Sequence, residues 1–398
     1  MKKILLPFFV IFALIACEKN SEDSIKLSQN DVTVGFEGTA EPVVIDVVSN
    51  IDWTVTAEQA DWFTVTPLEG SGNGTITVTV EPLSEVAARA AIILVGNGTT
   101  MASINLVQGL PDKADVSEGG FVIEEVFFAG FLPEGATTSD ASDGDQYIKI
   151  ANNSDNLLYA DGLVVCLSSY NSQVSAAGAY WEPTVILKDS IGVNTLYRIP
   201  GSGSDVPVLP GKSLVIALAA QDFAAENGAG LNLSNADFEI FDGEDFDTDN
   251  PDVPNLENWV VESETFSMLH NRGFFSIAIA KIPSELASAE AFIAGCPWTG
   301  TETFWFGGAA FTTRDIAAGN YVIKNEWVVD AVNLGIEEDL GRLAFNASVD
   351  AGYTGCGKVD KDPDRYGKSA LRKSEGGKFA DTNNSTNDFT RDSVPSLK

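Results

Sequence analysis

Between Gln29 and Gln108 the apolar residues return at every second position in short runs, and clusters of Gly, Asn, Pro and Ser separate the runs. Val32, Val34 and Phe36 alternate with polar neighbours, as do Val43, Ile45 and Val47. Further runs stand at Trp53 to Val55, Phe63 to Val65, Ile76 to Val80, Ile92 to Val95 and Ile104 to Val107. The separators are turn formers: Ser49-Asn50, Pro67 to Gly74, and Gly96-Asn97-Gly98. A period of two puts successive side chains on opposite faces, so each run has one face to bury and one to hydrate. Strands this short, in so regular a series, are stable only as two sheets packed face to face. No helical period competes.

That first segment, residues 25–110, therefore reads as an immunoglobulin-like β-sandwich of seven strands. A chain of 398 residues exceeds what one core organises, so a second domain is expected. The composition breaks at residues 111–118, the expected linker, and residues 119–391 follow as a second β-sandwich with long inserts. Its strand signals are Phe121 to Phe128, Tyr147 to Ile150, Leu163 to Val165 and Leu214 to Leu218. Residues 392–398 are left as a C-terminal tail. The fold class is all-β.

The N-terminus has a different character. Lys2 and Lys3 precede an apolar run from Ile4 to Ile15 that is too short to span a bilayer, and Ala16 is small, which is the layout of a secretory signal over residues 1–16. Leu14-Ile15-Ala16-Cys17 resembles the lipobox of bacterial lipoproteins. The resemblance implies cleavage before Cys17 and a diacylglycerol on its sulfur. Residues 17–24 are polar and serve as a tether, similar to the short charged export signals of Bacteroidetes lipoproteins sent to the outer leaflet.

Charge narrows the partners. With 57 Asp and Glu against 24 Lys and Arg, the formal net charge of -33 repels phosphate backbones, which excludes nucleic acid as a partner. Beyond Cys17 the cysteines are Cys166, Cys296 and Cys356, an odd number without a CxxC pair. Three buried free thiols are expected, with a Cys296–Cys356 bond as the other option.

Two resemblances refine the domains. Asn50-Ile51-Asp52-Trp53, Asp61-Trp62, Pro67-Leu68-Glu69-Gly70, Gly72-Asn73-Gly74, Arg89 and Gln108 together resemble the BACON domain of Bacteroidetes surface proteins. It implies a sandwich between anchor and head, sometimes proposed to bind glycans; Trp53 and Trp62 are expected in the core. In the second segment, Asn152 to Asp155, Asp161-Gly162 and Leu209-Pro210-Gly211 resemble the lamin-tail fold, although Lys149 stands where that family usually carries Glu. Asn235 to Glu239, Asp249-Asn250-Pro251, Asp350 to Tyr353, Gly367-Lys368-Ser369 and Asp381 to Phe389 resemble an uncharacterised family of Bacteroidetes lipoproteins with such a domain. The inserts, Ala219 to Asn258 and Ile282 to Asn320, are expected to decorate one end of the sandwich.

Chemistry is sparse. His270 is the one histidine, no GxSxG elbow accompanies it, and no carboxylate pair stands out, so an enzyme is not expected. Asp245, Asp247 and Asp249 alternate as calcium ligands do, yet Asn250 replaces the turn glycine and Leu256 the twelfth-position glutamate of an EF-hand. A looser calcium loop and a solvated acidic loop both remain open. Tyr180, Trp181, Trp298 and Trp305 gather aromatic surface in or near the inserts, where faces for sugar C–H groups are expected, the other reading being that they pin the inserts to the core. The expected function is a lipid-anchored outer-membrane protein facing the exterior, non-enzymatic, binding a glycan or protein, with the first sandwich as spacer. An accessory of a TonB-dependent transporter is the alternative, and a glycoside hydrolase a third.

Overall fold

The structure, a computed structural model, describes residues 22–57, 61–110, 120–132, 144–173, 180–181, 187–227, 230–243, 248–261, 269–305 and 312–398. The chain divides into two compact units, Met1–Pro111 and Asp112–Lys398, each with its own core. It is all-β: strands in several sheets carry the fold, and helices are short.

The first unit is two sheets. One runs in the order β1 (Ile25–Leu27), β3 (Val43–Ser49), β7 (Gly74–Val80), β5 (Phe63–Thr66). The other runs β2 (Asp31–Val34), β9 (Met101–Gln108), β8 (Arg89–Gly96), β4 (Asp52–Ala57), β6 (Glu69–Ser71). The alternation works as its period requires: Ile45, Val47, Ile76 and Val78 of the first sheet meet Ile93, Ile104 and Leu106 of the second in one core. Two strands exceed the seven expected from the pattern, β1 and β6. Of these β6 lies within the Pro67 to Gly74 separator, and its glycines are there for packing as much as for turning. A Cβ on Gly70 would come within 2.2 Å of the Trp53 ring and one on Gly74 within 3.1 Å, so the strand lies flat on a buried indole whose Nε1 donates to the Gly72 carbonyl at 2.9 Å.

Three other residues of the same segment form a staple. Arg89 lays its guanidinium over the Trp62 ring at 4.7 Å and donates to Gln108 Oε1 at 2.8 Å, while Gln108 donates to the Gly35 and Glu81 carbonyls. The interactions tie the start of β8 and the end of β9 to the Gly35 and Glu81 carbonyls, with the Arg89 charge strengthening its bond to Gln108.

In the second unit two large sheets share a core. The first has the order β18 (Phe238–Glu239), β17 (Ser213–Ala217), β11 (Tyr147–Asn152), β10 (Phe121–Phe127), β25 (Ser369–Arg372), β28 (Phe389–Ser393). The second has β19 (Glu257–Val260), β15 (Ser190–Arg198), β13 (Leu163–Ser168), β20 (Ile277–Lys281), β24 (Val328–Val332), with β23 (Tyr321–Lys324) also paired to β15. Smaller ladders join β12 (Leu158–Tyr159) to β16 (Pro207–Val208) and β26 (Ser374–Glu375) to β27 (Lys378–Phe379). A three-stranded sheet consists of β14 (Tyr180–Trp181), β21 (Thr301–Trp305) and β22 (Thr312–Asp315). The helices are α1 (Phe223–Asn227), α2 (Ala289–Gly295) and α3 (Ser385–Asp388).

Ile123, Ile148 and Ile150 of one large sheet and Val165, Ile277 and Ile279 of the other form the central core. Both sheets are also buried on their outer faces, which explains why Leu163 to Leu167 is a continuous apolar run rather than an alternating one. The inserts supply the covers. Phe223 of α1, Leu231 and Val253 lie over Phe127, Tyr147 and Ala217, and Phe292 of α2 lies over Val164, Val193 and Ala278. The expectation that the inserts decorate one end is corrected accordingly: a sheet apolar on both sides must be roofed on both. Cys166, Cys296 and Cys356 are free and buried.

Polar groups inside the unit are tied in networks. Lys149, in the position noted above, pairs with Glu124 at 2.8 Å. Buried Arg372 pairs with Asp330, donates to the Ile123 carbonyl at 2.7 Å and the Ala380 carbonyl at 2.8 Å, and lies 4.6 Å from the Phe389 ring. Asp350 accepts from the backbone N–H groups of Asn333, Gly352 and Ser385 and from the Ser385 hydroxyl, fixing the start of α3. Burial of charge is tolerated where every lone pair has a donor.

Candidate functional site

The sheet β14–β21–β22 brings together aromatic positions that are far apart in sequence. Tyr180 stands opposite Trp305, and Trp181 opposite Phe304. Its foundation is Glu302 of β21, a residue 2% exposed, whose carboxylate accepts from the Tyr170 hydroxyl and, at 2.6 Å, from Nε of Arg314, its cross-strand partner on β22. Burial, then the Glu302 carboxylate, raises the Tyr170 pKa, so this phenol stays a donor. Arg342 lies 5.5 Å from the Tyr170 ring; burial lowers its pKa to about 10, partly offset by Tyr170 and Glu302.

Trp298 sits at the root of the same sheet. Its ring meets Tyr170 edge-on at 5.5 Å and lies on Gly192 of β15, where a Cβ would come within 2.1 Å. Two loops flank it and are stitched together by backbone bonds of 2.9 Å from Trp298 to Asn320, Ile316 to Gly300 and Val322 to Cys296. Between them opens a depression of about 560 Å³ whose lining includes Ile293, Pro297, Trp298, Asp315, Asn320 and Tyr321. Apolar and aromatic surface beside a carboxylate, an amide and threonine hydroxyls suits a ligand with one C–H face and several hydroxyls.

The expected site residues fare as follows. Trp298 is buried, with only 9% exposed, so most of its ring is packing and only an edge lines the depression. For Tyr180, Trp181 and Trp305 the backbone pairing is described and the side chains are not. Cys17, Asp245 and Asp247 lie outside the described residues. Asp249 is exposed and accepts from Asn255 Nδ2 at 2.8 Å. Among the described residues no group of three His, Cys, Asp or Glu side chains is placed to hold a metal ion. His270 stacks on Phe274 at 4.5 Å and accepts from the Arg272 backbone N–H at 3.3 Å. Burial, with Arg272 second, lowers its pKa to about 4. Trp53 is core.

Glu302, Tyr170 and Arg314 did not stand out in the sequence. The one signal was a glutamate flanked by Thr301 and Thr303 in a strand ending Phe304-Trp305, an acid on the face that alternation assigns to the interior.

Residues 209–396 match the family described as Protein of unknown function (DUF4876). Among solved structures the chain is similar to a DUF4876 family protein from Bacteroides thetaiotaomicron, with 17% identity, 92% of this chain and 97% of that chain covered, and a TM-score of 0.53. It is also similar to a Bacteroides ovatus GH5 xyloglucanase in complex with a XXXG heptasaccharide, with 18% identity, 28% of this chain and 24% of that chain covered, and a TM-score of 0.21. The first likeness is one of fold; the second is too slight to carry weight. A search of curated proteins found no match.

Proposed function

We propose that the chain is a non-enzymatic surface protein, lipid-anchored through Cys17 to the outer membrane, whose first unit is a spacer and whose second unit binds neutral glycans at the depression beside β21. The observation that carries this reading is the pairing of β14 with β21, which gathers the positions Tyr180, Trp181, Phe304 and Trp305 on adjacent strands, of which β21 begins at Thr301 in the depression's wall. The net charge of -33 and Asp315 in the lining argue against sulfated or uronic sugars and for neutral ones. Support for the spacer role comes from Trp53, enclosed in its core, and from Trp62, covered by Arg89. A non-catalytic head accords with a histidine held neutral against Arg272.

Calorimetry of the processed chain against neutral and uronic oligosaccharides tests it. Binding of a neutral oligosaccharide, weakened about tenfold or more by Trp305→Ala or Tyr321→Ala, is expected from loss of a stacking face. Binding that survives both substitutions, preference for uronic chains, or sugar release abolished by one carboxylate substitution overturns it.

A further inference from the structure

The depression beside β21 has a direction, and the backbone fixes it. It begins at the last turn of α2, where Ile293, 40% exposed, lines it. Just past the cap of that helix, Pro297 stands opposite Tyr321 in an isolated antiparallel bridge. The Trp298 N–H then donates to the Asn320 carbonyl, the Ile316 N–H donates to the Gly300 carbonyl, and Thr301 stands opposite Asp315 where the β21–β22 ladder begins. The two flanking segments are thus held in step along their length. Their side chains grade from aliphatic and aromatic at the α2 end to hydroxyl and carboxylate at the β21 end, with Ala317, Ala318 and Asn320 between.

Each end suits a different chemistry. Ile293 and Pro297 carry no side-chain donor or acceptor, so a hydroxyl buried against them gives up water and gains no partner, whereas a methyl group gains contact. Tyr321 adds a ring for sugar C–H groups to lie against. At the other end the exposed Asp315 carboxylate accepts from hydroxyls, and the Thr301 hydroxyl both donates and accepts. The four steps from Pro297 to Thr301 span at most roughly 14 Å of extended chain. A depression of about 560 Å³ over that span fits two linked pyranose rings.

We infer that the depression selects a saccharide carrying a deoxyhexose, whose exocyclic methyl group lies at the end formed by Ile293, Pro297 and Tyr321 and whose neighbouring ring turns its hydroxyls to Thr301 and Asp315. This rests on the reading of the depression as a glycan site and names the sugar class within it. An ordinary hexose would bury a hydroxymethyl group where the deoxy sugar has a methyl, and leave that hydroxyl unpaired against Ile293 and Pro297. An acetamido sugar also brings a methyl, but with an amide N–H and a carbonyl that the same two side chains cannot satisfy.

Two matched pairs of disaccharides are the probes: L-fucosyl-galactose with L-galactosyl-galactose, and L-rhamnosyl-galactose with L-mannosyl-galactose. The members of a pair differ by one hydroxyl, on the exocyclic carbon. Calorimetry on the processed chain should show the deoxy member of at least one pair binding about tenfold tighter than its partner. Ile293→Ser, a change at an exposed position, should cut that preference to about twofold or less, and Asp315→Asn should weaken both members alike. Equal binding within both pairs, preference for the hydroxylated members, or a preference that Ile293→Ser leaves in place overturns the inference while the glycan reading stands. So does a failure of all four to bind where another neutral oligosaccharide binds and Tyr321→Ala weakens it. If no neutral oligosaccharide binds, both readings fall together.

Discussion

Gly70 and Trp53 are a single packing unit: the glycine lies so close over the buried indole that a Cβ there would come within 2.2 Å of the ring. Gly70→Ala should therefore destabilise the first unit by about 1–3 kcal/mol through overpacking. Trp53→Ala should cost about 3–5 kcal/mol through the cavity it leaves. Because the two effects meet at one contact, Gly70→Ala combined with Trp53→Phe should cost less than the sum of the single changes. Denaturant titration of the unmodified chain, Gly70→Ala, Trp53→Phe and their double variant measures this; strict additivity would mean that ring and glycine do not press on one another.

His270 gives the second unit an acid sensitivity. Its folded pKa of about 4 lies below the ordinary 6.5, so between those values the unfolded chain takes up a proton that the folded chain does not. Stability contributed by the neutral ring is fully present above pH 6.5 and is lost as the pH falls towards 4, by up to about 3 kcal/mol. His270→Phe keeps the stack on Phe274 and removes the proton site. The unfolding free energy of the His270→Phe chain, taken relative to that of the unmodified chain, should rise as the pH falls across that window, and a constant difference from pH 7 to pH 4 would refute the assignment.

Tyr170→Phe removes a donor from the Glu302 carboxylate while leaving the ring against Trp298. A buried carboxylate short of one donor costs about 1–3 kcal/mol. The loss should be local: faster amide exchange in β21 and β22, with the central core unchanged. Uniformly faster exchange throughout the unit would show that Glu302 supports the whole sandwich instead of this sheet.

Much of this fold could be read from residue order. Val43, Ile45 and Val47, and Ile76, Val78 and Val80, announce strands because one period fits both their spacing and their burial. The strand Glu69–Ser71 could not be read, since glycine there signals a turn until the ring beneath it is known. The roofs over the outer faces were half legible: Leu163 to Leu167 is too apolar for a one-sided sheet, but nothing local says what covers it. Least legible were the ion pairs formed by buried carboxylates. Glu302 with Arg314, and Asp330 with Arg372 at 42 residues' separation, look like surface charge in a strongly acidic chain until pairing brings them together. The convergence of Tyr180 and Trp305 has the same cause, a register between distant strands.

At the other end of the chain, the anchor proposed above predicts that Cys17→Ala releases the protein from membranes or leaves it unprocessed, because a diacylglycerol and an added acyl chain on that one residue would supply the buried methylenes for stable attachment. Fractionation of cells expressing each form checks it. A cleaved Cys17→Ala chain that still sediments wholly with outer membranes would exclude the lipid anchor.

The place of Arg372 bears on how the protein comes into being. It hydrogen-bonds a carbonyl of β10 across 249 residues, and β10 lies between β11 and β25, so this interior strand of a six-stranded sheet lacks one neighbour until Ser369–Arg372 has left the ribosome. Contacts so distant along the chain close slowly, and late. Completion of this sheet therefore waits on Ser369–Arg372, whatever the first unit does. Until then Phe121–Phe127 keeps one hydrogen-bonding edge open, a template on which any stray strand could pair.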